Sequence, residues 1–423
     1  MRIKMNDYKN KSVCVYDNGL FVELAIKLSE SFGKVYYYSP WESAFPKSNQ
    51  TLIGFQIKEI IRVNNFWDII DDIDLFCFPD VYSGSIQLHL ESLNKRIWGS
   101  KKGEELELYR NESKQYMKSI DIPIGNYTVI KGTNDLKKYL KENENKYVKI
   151  SVTRGDTETF FSENYNIIES KIDDLECKLG ARKYITEFIV EDSIDNAVET
   201  GYDGYCIDGI FPKSGICGIE IKDKGYVGIF KNYEEIPQEI ISFNEKISDT
   251  LKKYKYRNFI STEIRITQDK IPYIIDPCMR AGSPPSEIYI NMYKNLADII
   301  WNGSEGKCIE PVVENKYAIE VILSSKWADN NWQIIQFPAE LRDNIKFRDL
   351  TFINNNYYVI PQQTGHSEIG ALIVLGNSFD EVKEKIKEYS QMIKGYDLYV
   401  HTEIIDEGFE EIEKLKLWGI NLL

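Results

Sequence analysis

The chain has 423 residues, more than one ordinary hydrophobic core accommodates, so two to four packed subdomains are expected. Hydrophobic residues at 43% and charged residues at 28% are globular proportions, and no apolar run approaches the length of a membrane span. A formal net charge of −14 argues against a passive polyanion-binding surface, and seven scattered cysteines without a CxxC argue against a disulfide frame or a zinc site.

The first residues, MRIKMNDYKNKS, are basic and polar but lead into a strand rather than an apolar signal core. The expectation is a cytoplasmic protein, monomer or homodimer, with small-molecule partners, no membrane partner and no strong nucleic-acid signal.

Residues 12–16 (SVCVY) predict a strand closed by Asp17-Asn18-Gly19, and Leu20, Leu24 and Leu28 then recur at helical spacing up to Gly33. Strands at 34–38, 75–78 and 96–98, with a helix over 85–93, continue the alternation. This pattern implies a parallel sheet covered by helices, its ligand edge at the carboxyl ends of the strands, where Asp17, Asn18 and Asp80 fall. Helix capping and turn chemistry is the other reading of these three.

From Lys101 the composition turns charged, and a helix is expected through Leu106, Ser113 and Met117 to about Ile120. Thr133 is placed to cap a helix carrying Leu136 and Leu140. Residues 146–151 (KYVKIS) form a strand with Lys149 inside it, and a lysine in an apolar strand is costly to bury without an anion. Residues 152–157 make a polar, turn-rich loop that together with Lys149 suits phosphate oxygens, although its single glycine makes the loop alone a weak signal. A strand at 184–190 leads into Glu191-Asp192. Residues 196–211 read as sheet, Pro237 opens an amphipathic helix to Lys253, and 289–301 reads as a helix.

Residues 259–266 alternate apolar and polar, 268–270 form a polar turn, and Tyr273, Ile274 and Ile275 suit a buried return strand. The hairpin sets Glu263 and Asp276 on adjacent strands. Two neighbouring carboxylates repel unless a cation sits between them, and hard oxygen ligands suit Mg²⁺ carrying a nucleotide phosphate. A surface hairpin with solvated acids is the alternative. Arg280, followed by a Gly-Ser-Pro-Pro turn, is placed to meet phosphate oxygens. Beyond a polar boundary at 303–315 the chain is mostly strands, with a helix from Ser378 carrying Glu381 in capping-box position and a charged helical tail from Ile404.

In this order the features resemble the ATP-grasp superfamily, and within it the phosphoribosylamine-glycine ligases. The stretches are FPD (78–80), IWGS (97–100), ESKQYMKSIDIP from Glu112, KYVKIS, ITEFIVED, EIRI with IIDPCMR, and IGALIVLGNSFDEVKEKI. The resemblance implies an α/β ATP-grasp fold: a parallel α/β domain at 1–104, an ATP-grasp domain at 105–305 with a lid at about 145–210, and a mostly β C-terminal domain at 306–423. It implies Lys114 and Lys149 on ATP phosphates, Glu187 and the backbone near Ile189 at adenine, and Glu191 or Asp192 on ribose. Glu263 and Asp276 would hold magnesium, Arg280 would be catalytic, and Asp80, Arg265 and Ser283 would meet substrate. Three departures stand out. Cys278 replaces the Asn of the family's acid-X-Asn-X-Arg motif, the phosphate loop is short of glycine, and the first strand's turn lacks Gly-Gly.

The resemblance implies an ATP-dependent carboxylate-amine ligase, joining an amino acid to an amine of a nucleotide or sugar-phosphate type through an acyl phosphate and releasing ADP and phosphate. A kinase on the same fold, or an ATP-binding module without turnover, are the alternatives.

Overall fold

The computed structural model describes residues 7–40, 52–151, 159–361 and 368–423. The expected phosphate loop at 152–157, like the first six residues, lies outside the described residues.

The N-terminal alternation folds as expected. Strands β1 (Tyr8–Tyr16), β2 (Phe32–Tyr38), β3 (Ile61–Arg62), β4 (Leu75–Cys77) and β5 (Arg96–Trp98) form one parallel sheet in the order β3-β2-β1-β4-β5. Helices α1 (Val22–Ser29) and α2 (Gly84–Ser92) cross between its strands. Asp17, at the carboxyl end of β1, accepts from the backbone N–H groups of Gly19 and Phe21 and from the Tyr37 hydroxyl at 2.7–2.9 Å, which is turn chemistry.

The charged stretch after Lys101 is two short helices rather than one, α3 (Glu105–Leu108) and α4 (Arg110–Ser119), because Tyr109 leaves helical backbone at ψ 75°. This break turns Glu107 and Arg110 inward. A small antiparallel sheet follows, built from β6 (Tyr127–Lys131), β7 (Lys146–Ile150), β8 (Thr159–Ser162) and β9 (Glu187–Asp192) in the order β6-β9-β7-β8. Helices α5 (Thr133–Glu142) and α6 (Tyr165–Leu179) cover it, and Leu136, Leu140, Ile172 and Phe188 make a core separate from the main one. Thr133 lies inside α5 rather than capping it. Gly132, at φ +82°, precedes the helix, and the Thr133 hydroxyl donates to Glu176. The small sheet therefore spans 127–192, displaced toward the N-terminus from the expected lid.

The central sheet carries β10 (Ala197–Ile207), β11 (Ser214–Ile221), β12 (Gly225–Asn232), β13 (Arg257–Thr267), β14 (Pro272–Cys278), β15 (Tyr317–Ser324), β16 (Ile345–Phe347) and β17 (Glu368–Gly376), ordered β14-β13-β10-β11-β12-β15-β17-β16. The expected helix at 289–301 is two, Ser286–Met292 and Leu296–Ser304, separated by Tyr293 at ψ 102°. The boundary at 303–315 separates elements but not cores. β15 pairs with β12 on one side and β17 on the other, so most of the C-terminal strands extend the central sheet, and one apolar core runs from Tyr8 to Leu422. The N-terminal sheet docks at β13 and β14 through an isolated Gly99–Arg257 bridge and an Ala281 N–H donated to the Pro79 carbonyl at 2.9 Å. Three bodies of structure thereby meet around β14.

Candidate active site

The expected hairpin forms, with Glu263 of β13 directly opposite Asp276 of β14 and a register shift immediately after Glu263. Directly paired residues of an antiparallel ladder share a face, so both carboxylates point the same way. The small sheet supplies the cation. Lys149 Nζ lies 2.8 Å from Asp276 Oδ2 and 3.5 Å from Glu191 Oε2, and its side chain is 3% exposed. From α4, Arg110 Nη1 donates to Asp276 Oδ1 at 2.5 Å. Lys114, one turn on, reaches Glu191 at 2.7 Å.

Burial by itself would raise the Asp276 carboxyl, but Arg110 and Lys149 override it and hold the group well below the usual carboxylate range. Glu263 forms no ion pair with Lys or Arg among the described residues, and the charge of Lys149 lowers its carboxyl less than burial and Asp276 raise it. Burial, then the charge of Asp276, push it up to about 7. Its one hydrogen bond among the described residues comes from Cys278 Sγ at 3.3 Å, and burial followed by Glu263 pushes that thiol well above its ordinary value. The two carboxylates are thus unequal: Asp276 is ion-paired to Arg110 and Lys149, and Glu263 has no ion pair with Lys or Arg among the described residues.

Arg280 leaves β14 toward the N-terminal domain. Its Nε lies 3.0 Å from Glu107 Oε1 and 3.9 Å from Asp80 Oδ1, while Glu107 Oε2 accepts the Met279 N–H at 2.7 Å. Burial pulls its guanidinium down, and Glu107 more than offsets that.

Apart from Lys114, these charged groups line one cavity of about 740 Å³. Of the residues expected at the site, Asp80, Lys149, Glu191, Asp192, Glu263, Arg265, Asp276, Arg280 and Ser283 are on its wall. Lys114, Glu187 and Ile189 are not. Lys114 reaches the wall only through Glu191, and Ile189 is fully buried with β6 and β7 paired on its two sides. Asp192 is paired with Lys146 at 2.6 Å, Arg265 with Glu199 at 3.1 Å, and the Ser283 hydroxyl lies 3.4 Å from Glu287. Sequence reasoning missed Arg110, Glu107, Glu220 and Arg348. The signal for the first two was an Arg and a Glu in a helix expected to be merely charged. Glu220 sits on β11 with burial, then Glu263, Glu199, Asp203 and Glu368, pushing its carboxyl well above the ordinary value. Asp203 is fully buried, accepts from Ser261 at 2.5 Å and from Tyr226, and burial pushes it up to about 7.

Among the described residues no cluster of three or more His, Cys, Asp or Glu side chains is arranged to hold a metal by itself. Two facing carboxylates, one of them without an ion-paired Lys or Arg among the described residues, are hard oxygen donors of the kind a divalent cation takes.

No protein-family profile matches the chain, and no curated protein matches it in sequence. Solved structures do. Phosphoribosylamine-glycine ligase from Thermotoga maritima superposes at a TM-score of 0.67 with 14% identity, over 92% of this chain and 98% of that one. The biotin carboxylase domain of Hydrogenobacter thermophilus 2-oxoglutarate carboxylase, in complex with MgADP, ADP and bicarbonate, gives 0.65 at 14% identity over 96% and 98%. N5-carboxyaminoimidazole synthetase from Staphylococcus aureus, complexed with ADP, gives 0.58 at 11% identity over 92% and 99%.

Proposed function

Taking the ATP-grasp fold of this chain as the premise, we propose that it is an ATP-dependent ligase that joins a carboxylate to an amine. The observation that carries the reading is the meeting of Lys149 from the small sheet, the Glu263–Asp276 pair from the central sheet and Arg280 from its edge around one cavity. ATP lies between the two sheets in this reading. Lys149, with Lys114 behind it, neutralises phosphate oxygens. Glu191 or Asp192 accepts from the ribose hydroxyls, and the strand around Glu187 and Ile189 borders the adenine.

Glu263 and Asp276 are the residues that would hold Mg²⁺, whose bound form supplies charge neutralisation on the phosphates. Cys278, at a position where the family has Asn, is bonded to Glu263 and is a poor donor for a hard cation, so it orients the carboxylate rather than completing the set. Arg280 is held by Glu107 and Asp80, which fixes its guanidinium before substrate arrives. A cation fixed in advance stabilises charge that develops on a transferred phosphoryl group without reorganising at the moment of reaction. The carboxylate attacks the γ-phosphorus, ADP leaves, and the amine displaces phosphate from the acyl phosphate to give an amide. The small sheet has its own core, so it is suited to move as a unit and exclude water from that intermediate. An amino acid and an amine of nucleotide or sugar-phosphate type are the substrates favoured by the resemblance.

The test is product analysis on the purified chain with MgATP and a matrix of carboxylates and amines. ADP and phosphate released together, only when both partners are present, with a new amide by mass spectrometry, support the ligase. A phosphorylated product without free phosphate means a kinase, and MgATP binding without ADP across the matrix means a binding module.

A further inference from the structure

At the carboxyl end of β15, away from the lining of the cavity, three side chains are joined that the nucleotide, the metal and Arg280 do not use. Ser324 closes the strand, and the short strand Tyr399–Val400 pairs with it there, Ser324 opposite Tyr399 and Leu323 opposite Val400. The next residue, His401, donates its backbone N–H to the Ile322 carbonyl at 3.2 Å, which fixes the segment that carries the imidazole.

Ser324 Oγ and His401 Nε2 are 2.8 Å apart, and His401 Nδ1 and Glu403 Oε1 are 3.0 Å apart. Burial pushes the Glu403 carboxyl up, but its own backbone N–H and His401 more than offset that. An ionised carboxylate only accepts, so Nδ1 carries the ring proton and donates it to Glu403. Nε2 of the neutral ring then accepts, and the Ser324 hydroxyl donates to it. Nucleophile, base and orienting acid stand in the order of a hydrolytic triad, an arrangement that recurs on unrelated folds and is recognised by its geometry. The Tyr399 hydroxyl reaches the other Glu403 oxygen at 3.5 Å, and its ring meets the imidazole edge-on at 4.4 Å, so the acid and the base are both held in place.

The trio is open to solvent. Ser324 is half-buried, and the His401 and Glu403 side chains are 17% and 31% exposed. The backbone N–H of Ser325, the residue after the nucleophile, makes no hydrogen bond among the described residues, which leaves a donor beside the reacting carbonyl. Trp327 and Tyr396, both exposed, stand edge to face at 5.0 Å. They are tied to this end of the strand by the Ser325 hydroxyl on the Tyr396 carbonyl and the Trp327 N–H on Asp397. An exposed aromatic pair next to a nucleophile is a surface for an apolar acyl or aryl group.

We propose that Ser324, His401 and Glu403 form a second active centre that hydrolyses carboxylic esters with an apolar acyl or aryl part. Ser324 Oγ bonds to the ester carbonyl carbon while His401 Nε2 takes the hydroxyl proton. The bond from that carbon to the alcohol oxygen breaks, and the alcohol leaves with the proton. Water, giving a proton to the same nitrogen, then attacks the acyl-serine; the bond to Oγ breaks, the proton returns to Oγ, and the carboxylic acid departs. Ser324 and His401 are catalytic residues here, and Glu403 is a positioning residue that sets the tautomer of His401.

The experiment uses the full chain without nucleotide, p-nitrophenyl acetate and p-nitrophenyl butyrate as substrates, and a fluorophosphonate as a label for an activated serine. Saturable release of p-nitrophenolate through many turnovers is expected, with the phosphonyl adduct on Ser324 by peptide mass spectrometry. Ser324→Ala and His401→Gln are each expected to lower turnover about a hundredfold or more. Glu403→Gln is expected to lower kcat with KM unchanged, a split that a merely structural role would not produce. MgADP affinity, measured on each variant, is expected to stay at the level of the unaltered chain and reports folding. No turnover of either ester, turnover that survives Ser324→Ala, or an adduct on another residue overturns the inference.

Discussion

Lys149 and Asp276 stand 2.8 Å apart although they belong to different sheets, one in the small body at 127–192 and the other on the edge strand of the central sheet. The contact spans the cleft in which the nucleotide is proposed to lie. Without a ligand the lysine is held by two carboxylates, Asp276 and Glu191, and a triphosphate would replace them as its counter-charge.

Lys149→Ala is accordingly expected to weaken ATP binding, and Arg280→Ala to lower turnover by on the order of a hundredfold, because a group that meets charge developing in the transition state acts on kcat. Nucleotide affinity by calorimetry beside steady-state ADP release separates the two. Arg280→Ala also removes the ion pair of buried Glu107, so its thermal unfolding is measured alongside, and Arg280→Lys is expected to fold normally yet remain impaired.

The two facing carboxylates of the hairpin should not respond alike to amidation. Asp276→Asn removes the nearest counter-charge of both Arg110 and Lys149, whose side chains are 7% and 3% exposed, and is expected to cost about 3 kcal/mol of stability as well as activity. Glu263→Gln is expected to lose activity with stability unchanged or improved, since Glu263 forms no ion pair with Lys or Arg among the described residues and burial already pushes its carboxyl up to about 7. Denaturant unfolding of the two variants checks this. Equal destabilisation would contradict the unequal pairing.

The hairpin was legible because its alternation and polar turn are local, and they place Glu263 opposite Asp276 without knowledge of the rest of the chain. Arg110 was not. Its partner is 166 residues away, and only the break at Tyr109 turns it toward Asp276. The C-terminal strands read as a domain of their own because a polar segment precedes them, yet Tyr226 pairs with Glu320 across that segment, a register no local pattern encodes. Arg348 carried no signal at all, since its meaning comes from Glu287 and Glu368, which reach it from other elements.

Cys278 is expected to be a protonated orienting group rather than a nucleophile. Burial and Glu263 keep the thiol neutral, so iodoacetamide should label exposed Cys177 readily and Cys278 slowly, and Cys278→Ser should keep substantial activity. Complete inactivation by Ser with ATP binding intact would assign the sulfur a chemical role.

Stability should fall as pH rises toward neutrality in the absence of ligand. Glu263 and Asp203 have folded pKa values raised to about 7, so the folded state holds protons that the unfolded chain, with carboxyls near 4, has released. Their cost develops between about pH 4 and 7 and is complete above it. Asp276 acts oppositely: its stabilising contribution is present above about pH 4 and is lost only as pH falls through its depressed folded value. The unfolding midpoint of the apo chain is expected to drop between pH 5 and 7.5, less steeply in Glu263→Gln. Identical slopes would mean that Glu263 does not titrate in that window.

Once a productive carboxylate and amine are found, the most direct measurement uses the carboxylate labelled with ¹⁸O. Activation by phosphoryl transfer requires one labelled oxygen to leave with phosphate when the amine attacks, so each phosphate released should carry a single ¹⁸O, and the Arg280→Ala variant should release it more slowly with the same label. Phosphate without label would contradict an acyl phosphate and with it the ligase account.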